Sequence, residues 1–68
     1  MTKTKVSYKI TAFADEREVA ECEVDTIVKT WLKISELKHH YEHSDNFDSI
    51  RIITYVNNET VSEEWINM

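Results

Sequence analysis

The sequence predicts an α+β fold in which one helix packs on one face of a four-stranded, mostly antiparallel sheet. Three observations support this fold class. Two runs of alternating apolar and polar residues come first, a run with helical periodicity follows, and two further extended runs come last. The predicted order is therefore β-β-α-β-β, and residues 1–68 form a single small domain.

The first two predicted strands form a hairpin. Residues 5–13 (KVSYKITAF) alternate between apolar and polar side chains, as a half-buried strand does. Residues 18–24 (EVAECEV) alternate again, with Cys22 on the apolar face. The polar segment 15–17 between these runs predicts the connecting turn.

The predicted helix runs from Asp25 to His43, and either Asp25 or Thr26 caps its N-terminus. At 100° per residue, the apolar stripe that faces the core spans an arc of about 120°. The residues of this stripe are Ile27, Trp31, Ile34, Leu37 and Tyr41. Val28 and Leu32 lie outside the arc and form a second, smaller apolar patch. In one interpretation a loop or strand edge of the same chain covers this patch, and in the other it contacts a second chain.

The second hairpin follows the helix, which we expect to end at residues 44–46. Residues 49–56 (SIRIITYV) are apolar on both faces, which is typical of a strand in the interior of a sheet. Asn57 and Asn58 predict a two-residue turn, because asparagine tolerates a positive φ angle. Residues 59–66 then return as the last strand.

This outline resembles the β-grasp arrangement of the small immunoglobulin-binding bacterial domains in element order and length. A β-grasp strand order would place the strand that contains Glu63 and Glu64 centrally and the apolar strand 49–56 at an edge. An antiparallel order 2-1-3-4 suits the hydrophobicity of these strands better. The sequence leaves both orders open.

The composition excludes several classes of protein. The chain has no glycine, and phosphate-cradling loops and dinucleotide-binding fingerprints require glycine. A single cysteine, Cys22, excludes an internal disulfide and fits a reducing compartment. The N-terminal lysines have no apolar run behind them, and no segment is long and apolar enough to span a membrane. We therefore expect a leaderless cytoplasmic protein that does not contact a membrane.

Catalytic chemistry is not indicated. Adjacent carboxylates occur at Asp15-Glu16 and at Glu63-Glu64, but acid–base catalysis would need them in a cleft, for which a chain with one small core has little room. Cys22 alternates onto the apolar face, where a cysteine acts as a small hydrophobic residue. We therefore predict a non-enzymatic protein without catalytic residues.

One combination of residues has the spacing of a metal site. Glu36, His39 and His43 follow an i, i+3, i+7 pattern and could converge on a metal ion. A solvated last helical turn explains the same residues, because the negative end of the helix dipole favours histidine. We favour the second interpretation and predict neither a metal nor another cofactor.

The acidity of the chain is its most informative functional feature. Thirteen acidic residues against eight basic ones give a net charge of −5, and the acids are concentrated before the helix. Such a chain repels nucleic acid and attracts basic partners. Glu21, Glu23 and Asp25 alternate to one face of an extended segment, about 6.6–6.8 Å apart. Glu16 and Glu18 add charge near the turn.

Two interpretations of this acidic strand remain. Charge on an edge strand can simply protect it from aggregation. Alternatively, evenly spaced carboxylates can imitate a row of phosphates, since duplex DNA carries one charge per strand in about every 3.4 Å of axis. A basic groove that binds DNA could then accept the strand.

We therefore expect a small acidic inhibitor or adaptor that mimics DNA and occupies a basic, DNA-binding surface of a larger protein, without binding nucleic acid itself. In size, acidity and lack of a catalytic motif the chain resembles the short host-takeover proteins of bacteriophages. That resemblance implies a nucleoid, transcription or defence protein of the host as the partner. The expected contact residues are Asp15, Glu16, Glu18, Glu21, Glu23, Asp25, Glu59, Glu63 and Glu64.

The alternative function is a protein-interaction or homodimer module with apolar recognition. Its surface would be Val28 and Leu32 on the helix, or Ile53 and Tyr55 on the second face of the sheet. Binding through such a surface depends little on salt, whereas binding through the acidic strand weakens steeply as salt increases.

Overall fold

The computed structural model describes residues 4–41 and 47–67. Five elements follow one another in these ranges: β1 (Val6–Ala14), β2 (Arg17–Val24), α1 (Ile27–Tyr41), β3 (Phe47–Val56) and β4 (Glu59–Asn67). Neighbouring strands are antiparallel, and the sheet order is β2-β1-β3-β4. The predicted α+β class is confirmed. Of the two strand orders that the sequence left open, 2-1-3-4 is observed and the β-grasp order is wrong.

The apolar strand β3 is interior to the sheet, as its sequence predicts. It pairs with β1 on one side and with β4 on the other. Ile50 and Ile52 are buried beneath α1, and Arg51 between them faces the other side of the sheet. Ile53 and Tyr55 on that other side are half-buried. The predicted helix end at residues 44–46 lies outside the described residues.

Thr26 caps the N-terminus of α1. Its hydroxyl accepts a hydrogen bond from the backbone N–H of Lys29 at 3.1 Å, which satisfies one of the unpaired amides of the first turn. Asp25, the other predicted cap, instead accepts a hydrogen bond from Lys29 Nζ at 3.1 Å. The structure therefore selects Thr26 from the two candidates.

The face that α1 turns toward the sheet differs from the predicted one. Its buried residues are Thr30, Ile34 and Leu37, of which the last two belong to the core cluster. Ile27 and Trp31, which the apolar stripe assigned to the core, are 50% and 55% exposed. The prediction was right for Ile34 and Leu37 and wrong for Ile27 and Trp31. At 100° per residue, the centre of the buried face is rotated by roughly 30° from the predicted stripe.

Thr30 explains this rotation. Its hydroxyl donates a hydrogen bond to the backbone carbonyl of Thr26 at 2.9 Å, so the polar group is satisfied within the helix. Thr30 is 1% exposed, so its methyl group is buried on the side of α1 that packs on the sheet. Trp31 is consequently turned away from the core.

A β-bulge interrupts each pair of strands. The register shifts leave one residue without a cross-strand partner in each case: Val19 in β2, Asp48 in β3 and Val61 in β4. One extra residue reverses the alternation of side chains beyond it. The bulge at Val19 therefore moves Glu18 to the same face of the sheet as Glu21.

Both hairpins have two-residue turns in which both central residues have positive φ angles. The φ angles are 53° at Asp15, 63° at Glu16, 52° at Asn57 and 70° at Asn58. Positive φ at both positions is the type I′ geometry, which suits the twist of a hairpin. Asparagine tolerates this region, but at Glu16 the clash of Cβ with the backbone costs about 1–2 kcal/mol.

Glu16→Gly is expected to raise the free energy of unfolding by about 1 kcal/mol, because glycine adopts this φ angle without the clash. The variant keeps the backbone N–H that donates to Asp48 Oδ2 at 2.9 Å. Urea unfolding followed by tryptophan fluorescence measures the change. Asn58→Gly is the matched control and should give a smaller gain. A Glu16→Gly variant less stable than the parent would contradict the turn geometry.

Candidate interaction surfaces

The outer side of α1 carries an exposed apolar patch, which we call the helix patch. Its four members are Ile27, Val28, Trp31 and Leu32, with exposed fractions of 50%, 65%, 55% and 65%. Residues three and four apart are neighbours on a helix surface, so these side chains are contiguous. The sequence placed only two of them, Val28 and Leu32, outside the stripe that faces the core. An apolar patch of this kind on a monomer commonly marks an interaction site.

Charge around the helix patch is distributed unevenly. At 100° per residue, the arc of α1 that contains the patch also contains Lys38 and His39 but no carboxylate. Glu36 lies at the border of this arc, where its carboxylate contacts Lys33 Nζ at 3.3 Å. The helix patch is therefore bordered by basic groups and by an acid that is already paired.

The acidic strand presents its carboxylates on the sheet face opposite α1, which we call the open face. Glu21 and Glu23 lie there as predicted, opposite Thr11 and Lys9 of β1. Glu18 joins them because of the bulge at Val19. Asp25 lies beyond β2, in the connection to α1, where it pairs with Lys29. The row on β2 therefore consists of glutamates 18, 21 and 23.

Part of this row is neutralised within the chain. Glu21 Oε1 lies 3.4 Å from Lys9 Nζ. A side-chain hydrogen bond between Glu18 and Glu21 raises the pKa of Glu18 and lowers the pKa of Glu21, and Lys9 lowers the Glu21 pKa further. Two of the predicted contact residues, Glu21 and Asp25, are thus held by lysines of the same chain.

The remaining predicted acids lie at the other edge of the sheet. Glu59, Glu63 and Glu64 belong to β4, and three strand spacings separate β4 from β2, which is roughly 14 Å. Glu63 accepts a hydrogen bond from Trp65 Nε1 at 2.9 Å. Glu64 is opposite Ile52 and so projects from the sheet face that carries α1. The predicted contact residues of β2 and β4 therefore form two separate acidic edges, whereas Asp15 and Glu16 lie in the turn between β1 and β2.

A recess opens at the turn end of the open face, and we call it the aromatic recess. Its volume is about 440 Å³, and it is lined by Phe13, Glu16, Asp48, Ser49 and Trp65. The two ring centroids are 5.4 Å apart. The bulge at Asp48 brings its carboxylate to the first turn, where Oδ2 accepts the backbone N–H of Glu16. Two aromatic rings and two carboxylates thus share one concave surface.

A cation of the same chain already contacts both rings. Arg51 Cζ lies 5.3 Å from the Phe13 centroid and 5.7 Å from the Trp65 centroid, within cation–π distance. Arg51 Nε and the hydroxyl of its cross-strand neighbour Thr11 are buried, and neither has a hydrogen-bond partner among the described residues. No pattern in the sequence indicates this cluster, because only the register of three strands brings its members together.

The structure describes two of the three residues of the predicted metal site, and it also shows the environment of Cys22. Glu36 and His39 lie on α1, but His43 lies outside the described residues. Within residues 4–41 and 47–67, no three histidine, cysteine, aspartate or glutamate side chains come close enough to hold a metal ion. Cys22 is half-buried against the core, and this burial raises the pKa of its thiol.

No protein-family model matches this chain, and no curated protein or solved structure matches it significantly. Among the described residues, no helix combines the length and the apolar character that crossing a bilayer requires. Function is therefore inferred from the surfaces of the chain itself.

Lys9→Met is expected to raise the pKa of Glu21, because the variant removes both the ion pair and a hydrogen bond. Carboxyl-detected NMR titration measures each glutamate separately. In the parent, Glu18 should titrate above and Glu21 below the ordinary value of 4.5. Lys29→Met, as the control, should raise the pKa of Asp25 and leave Glu21 unchanged.

The two glutamates should affect stability in opposite directions. The lowered pKa of Glu21 means that its contribution is present above the unfolded-state pKa and is lost as pH falls through the folded-state pKa. The raised pKa of Glu18 means that its contribution is present at low pH and is lost as pH rises through the folded-state pKa. A Glu21 pKa that does not respond to Lys9→Met would contradict the ion pair.

Proposed function

We propose that this protein is a protein-interaction module that forms a homodimer through the helix patch. One observation carries the proposal: four contiguous large apolar side chains on α1 are each at least half exposed. Burial of apolar surface on association gains about 25 cal/mol per Å² before the costs of association. A chain of 68 residues buries little surface by itself, and dimerisation is a common way to increase it.

Charge favours a second copy of the same chain at this surface. Two copies with a net charge of −5 repel one another over most of their surfaces. Within residues 27–41 the arc of the helix patch has no carboxylate, so two copies can approach there at the lowest electrostatic cost. A two-fold symmetric, antiparallel crossing of the two helices would also bring Lys38 of each copy toward the two acids that precede the other copy's helix, at positions 23 and 25.

The size of the surface is compatible with a dimer when its rim is included. A standard interface buries about 800 Å² on each partner, with an apolar centre and a polar rim. The helix patch supplies the centre, and Ser35 and Lys38 belong to the rim. Trp31 is expected to contribute most of the binding energy, because tryptophan is enriched among the dominant residues of interfaces.

The double variant Val28→Ser/Leu32→Ser is expected to weaken self-association about 30-fold or more, which corresponds to about 2 kcal/mol. Sedimentation equilibrium over a range of protein concentrations measures the dissociation constant. Association of the parent should change little between low and high salt, since its contacts are mainly apolar.

Val61→Ser is the matched control, because Val61 is also an exposed valine, 57% exposed, but lies in the bulge of β4. It should leave the dissociation constant unchanged. A parent protein that stays monomeric at high concentration would overturn the dimer, and binding of a different protein to the helix patch would then replace the second copy.

A second candidate function rests on the two acidic edges. Their separation of roughly 14 Å is close to the width of the B-DNA major groove, about 12 Å, and successive outward residues of a strand are about 7 Å apart. This arrangement supports a cytoplasmic inhibitor or adaptor that mimics DNA and occupies a basic DNA-binding surface, such as that of a host nucleoid, transcription or defence protein. We rank it second, because Glu21 and Asp25 are already paired with lysines of the same chain.

The acidic-edge function predicts that the parent captures DNA-binding proteins from a bacterial lysate at low salt and releases them at high salt. Glu23→Gln/Glu64→Gln removes one carboxylate from each edge and should reduce both the capture and its salt dependence. The Val28→Ser/Leu32→Ser variant should capture as the parent does. Capture that is unaffected by the glutamine variant or by salt would exclude DNA mimicry.

A further inference from the structure

We propose that the aromatic recess binds the arginine side chain of a partner protein. The recess lies on the open face, so it is separated from the helix patch by the full thickness of the sheet. The inference therefore goes beyond the proposed dimer. It shares with the DNA-mimic hypothesis the expectation of a basic partner and the residue Glu16, but it names one cationic group at one position.

The chemistry of the recess fits a guanidinium group. Aromatic faces attract cations, and arginine is the cation that most often stacks on them because its guanidinium is planar and weakly hydrated. Glu16 and Asp48 supply carboxylates at the same surface, and a guanidinium can donate two parallel hydrogen bonds to a carboxylate. A volume of about 440 Å³ is within the range of pockets that hold small ligands, so one long side chain fits.

The contact between Arg51 and the same two rings shows that their surface accepts a guanidinium group. The ring pair already accepts a guanidinium of this chain, at 5.3 Å and 5.7 Å from the ring centroids. Arg51 is not among the residues that line the recess, and Trp65 is still 50% exposed. Ring surface therefore remains for a second cation, beside carboxylates that compensate its charge.

A hydrogen bond between Asp48 and the Glu16 backbone holds the two carboxylate-bearing residues of the recess beside the aromatic rings. The bulge removes Asp48 from the regular ladder, and its hydrogen bond to the Glu16 backbone joins the first turn to β3. The backbone of Glu16 has a φ angle of 63°, which glycine would adopt with less strain. This position nevertheless carries a carboxylate side chain. The two acids thus sit on one short connected unit next to the rings.

The test is an NMR titration of the full chain with N-acetyl-arginine amide, in parallel with the corresponding lysine and citrulline compounds. Citrulline has nearly the shape of arginine but no charge. The two tryptophan indole N–H signals report on separate surfaces, Trp65 on the recess and Trp31 on the helix patch. We expect a saturable shift of the Trp65 signal with arginine, a weaker effect with lysine, none with citrulline, and no shift of Trp31.

Glu16→Gln and Asp48→Asn should each weaken arginine binding roughly two- to five-fold, as the loss of an exposed charge pair does. The asparagine variant still offers an oxygen to the Glu16 N–H, so the turn is retained. Glu59→Gln is the control, because it removes one negative charge at the other hairpin turn. The Val28→Ser/Leu32→Ser variant should bind arginine as the parent does, which separates this inference from the dimer.

Three outcomes would overturn the proposal. A Trp65 shift with the citrulline compound equal to that with the arginine compound would show that the recess does not recognise the charge. An equal affinity for the lysine compound would show that the recess does not recognise the guanidinium group. Arginine binding that is unchanged in both Glu16→Gln and Asp48→Asn would show that the recess carboxylates do not take part.

Discussion

The rotation of α1 about its own axis decides which side chains this protein offers to partners. Thr30, Ile34 and Leu37 lie against the sheet, and this contact leaves no room there for Trp31. Thr30 is the decisive residue, because its hydroxyl is satisfied by the carbonyl of Thr26 and so can be buried without an unpaired polar group. The rotation that the apolar stripe predicts would have buried Ile27 and Trp31 and reduced the helix patch to Val28 and Leu32.

The strand order and the bulges determine the other surfaces. With β1 and β3 in the centre, the acid-rich strands β2 and β4 become opposite edges, which is also where charge protects a sheet from pairing with another sheet. The bulge at Val19 turns Glu18 to the open face, and the bulge at Asp48 brings a carboxylate to the aromatic rings. One sheet thus separates an apolar surface on α1 from an acidic and aromatic surface behind it.

The sequence was sufficient where a local pattern decides the structure. Alternation and helical periodicity gave all five elements, the asparagine pair gave the second turn, and the apolar character of β3 on both faces favoured the observed strand order. It failed where a single residue overrides the pattern. Apolar periodicity counts tryptophan as core and threonine as surface, so it could not anticipate that Thr30 would be buried in place of Trp31.

The candidate surfaces on the sheet could be predicted only in part from the sequence, because they depend on bulges and on the register between strands. A bulge shifts the strand register, and in this glycine-free chain no residue type marks where it occurs. Alternation therefore could not predict the directions of the Glu18 and Asp48 side chains. The ion pair between Lys9 and Glu21 and the cluster of Arg51 with Phe13 and Trp65 depend on cross-strand register. Periodicity in one strand carries no information about such pairs.

The most direct measurement of the helix rotation is a nuclear Overhauser experiment on methyl-labelled protein, diluted until it is monomeric. The structure predicts contacts from the Ile34 methyl groups to the methyl groups of the core isoleucines on β1 and β3. It predicts none from the Trp31 ring to those same methyl groups. Strong contacts between the Trp31 ring and Ile50 or Ile52 would contradict the rotation, and with it the exposed helix patch.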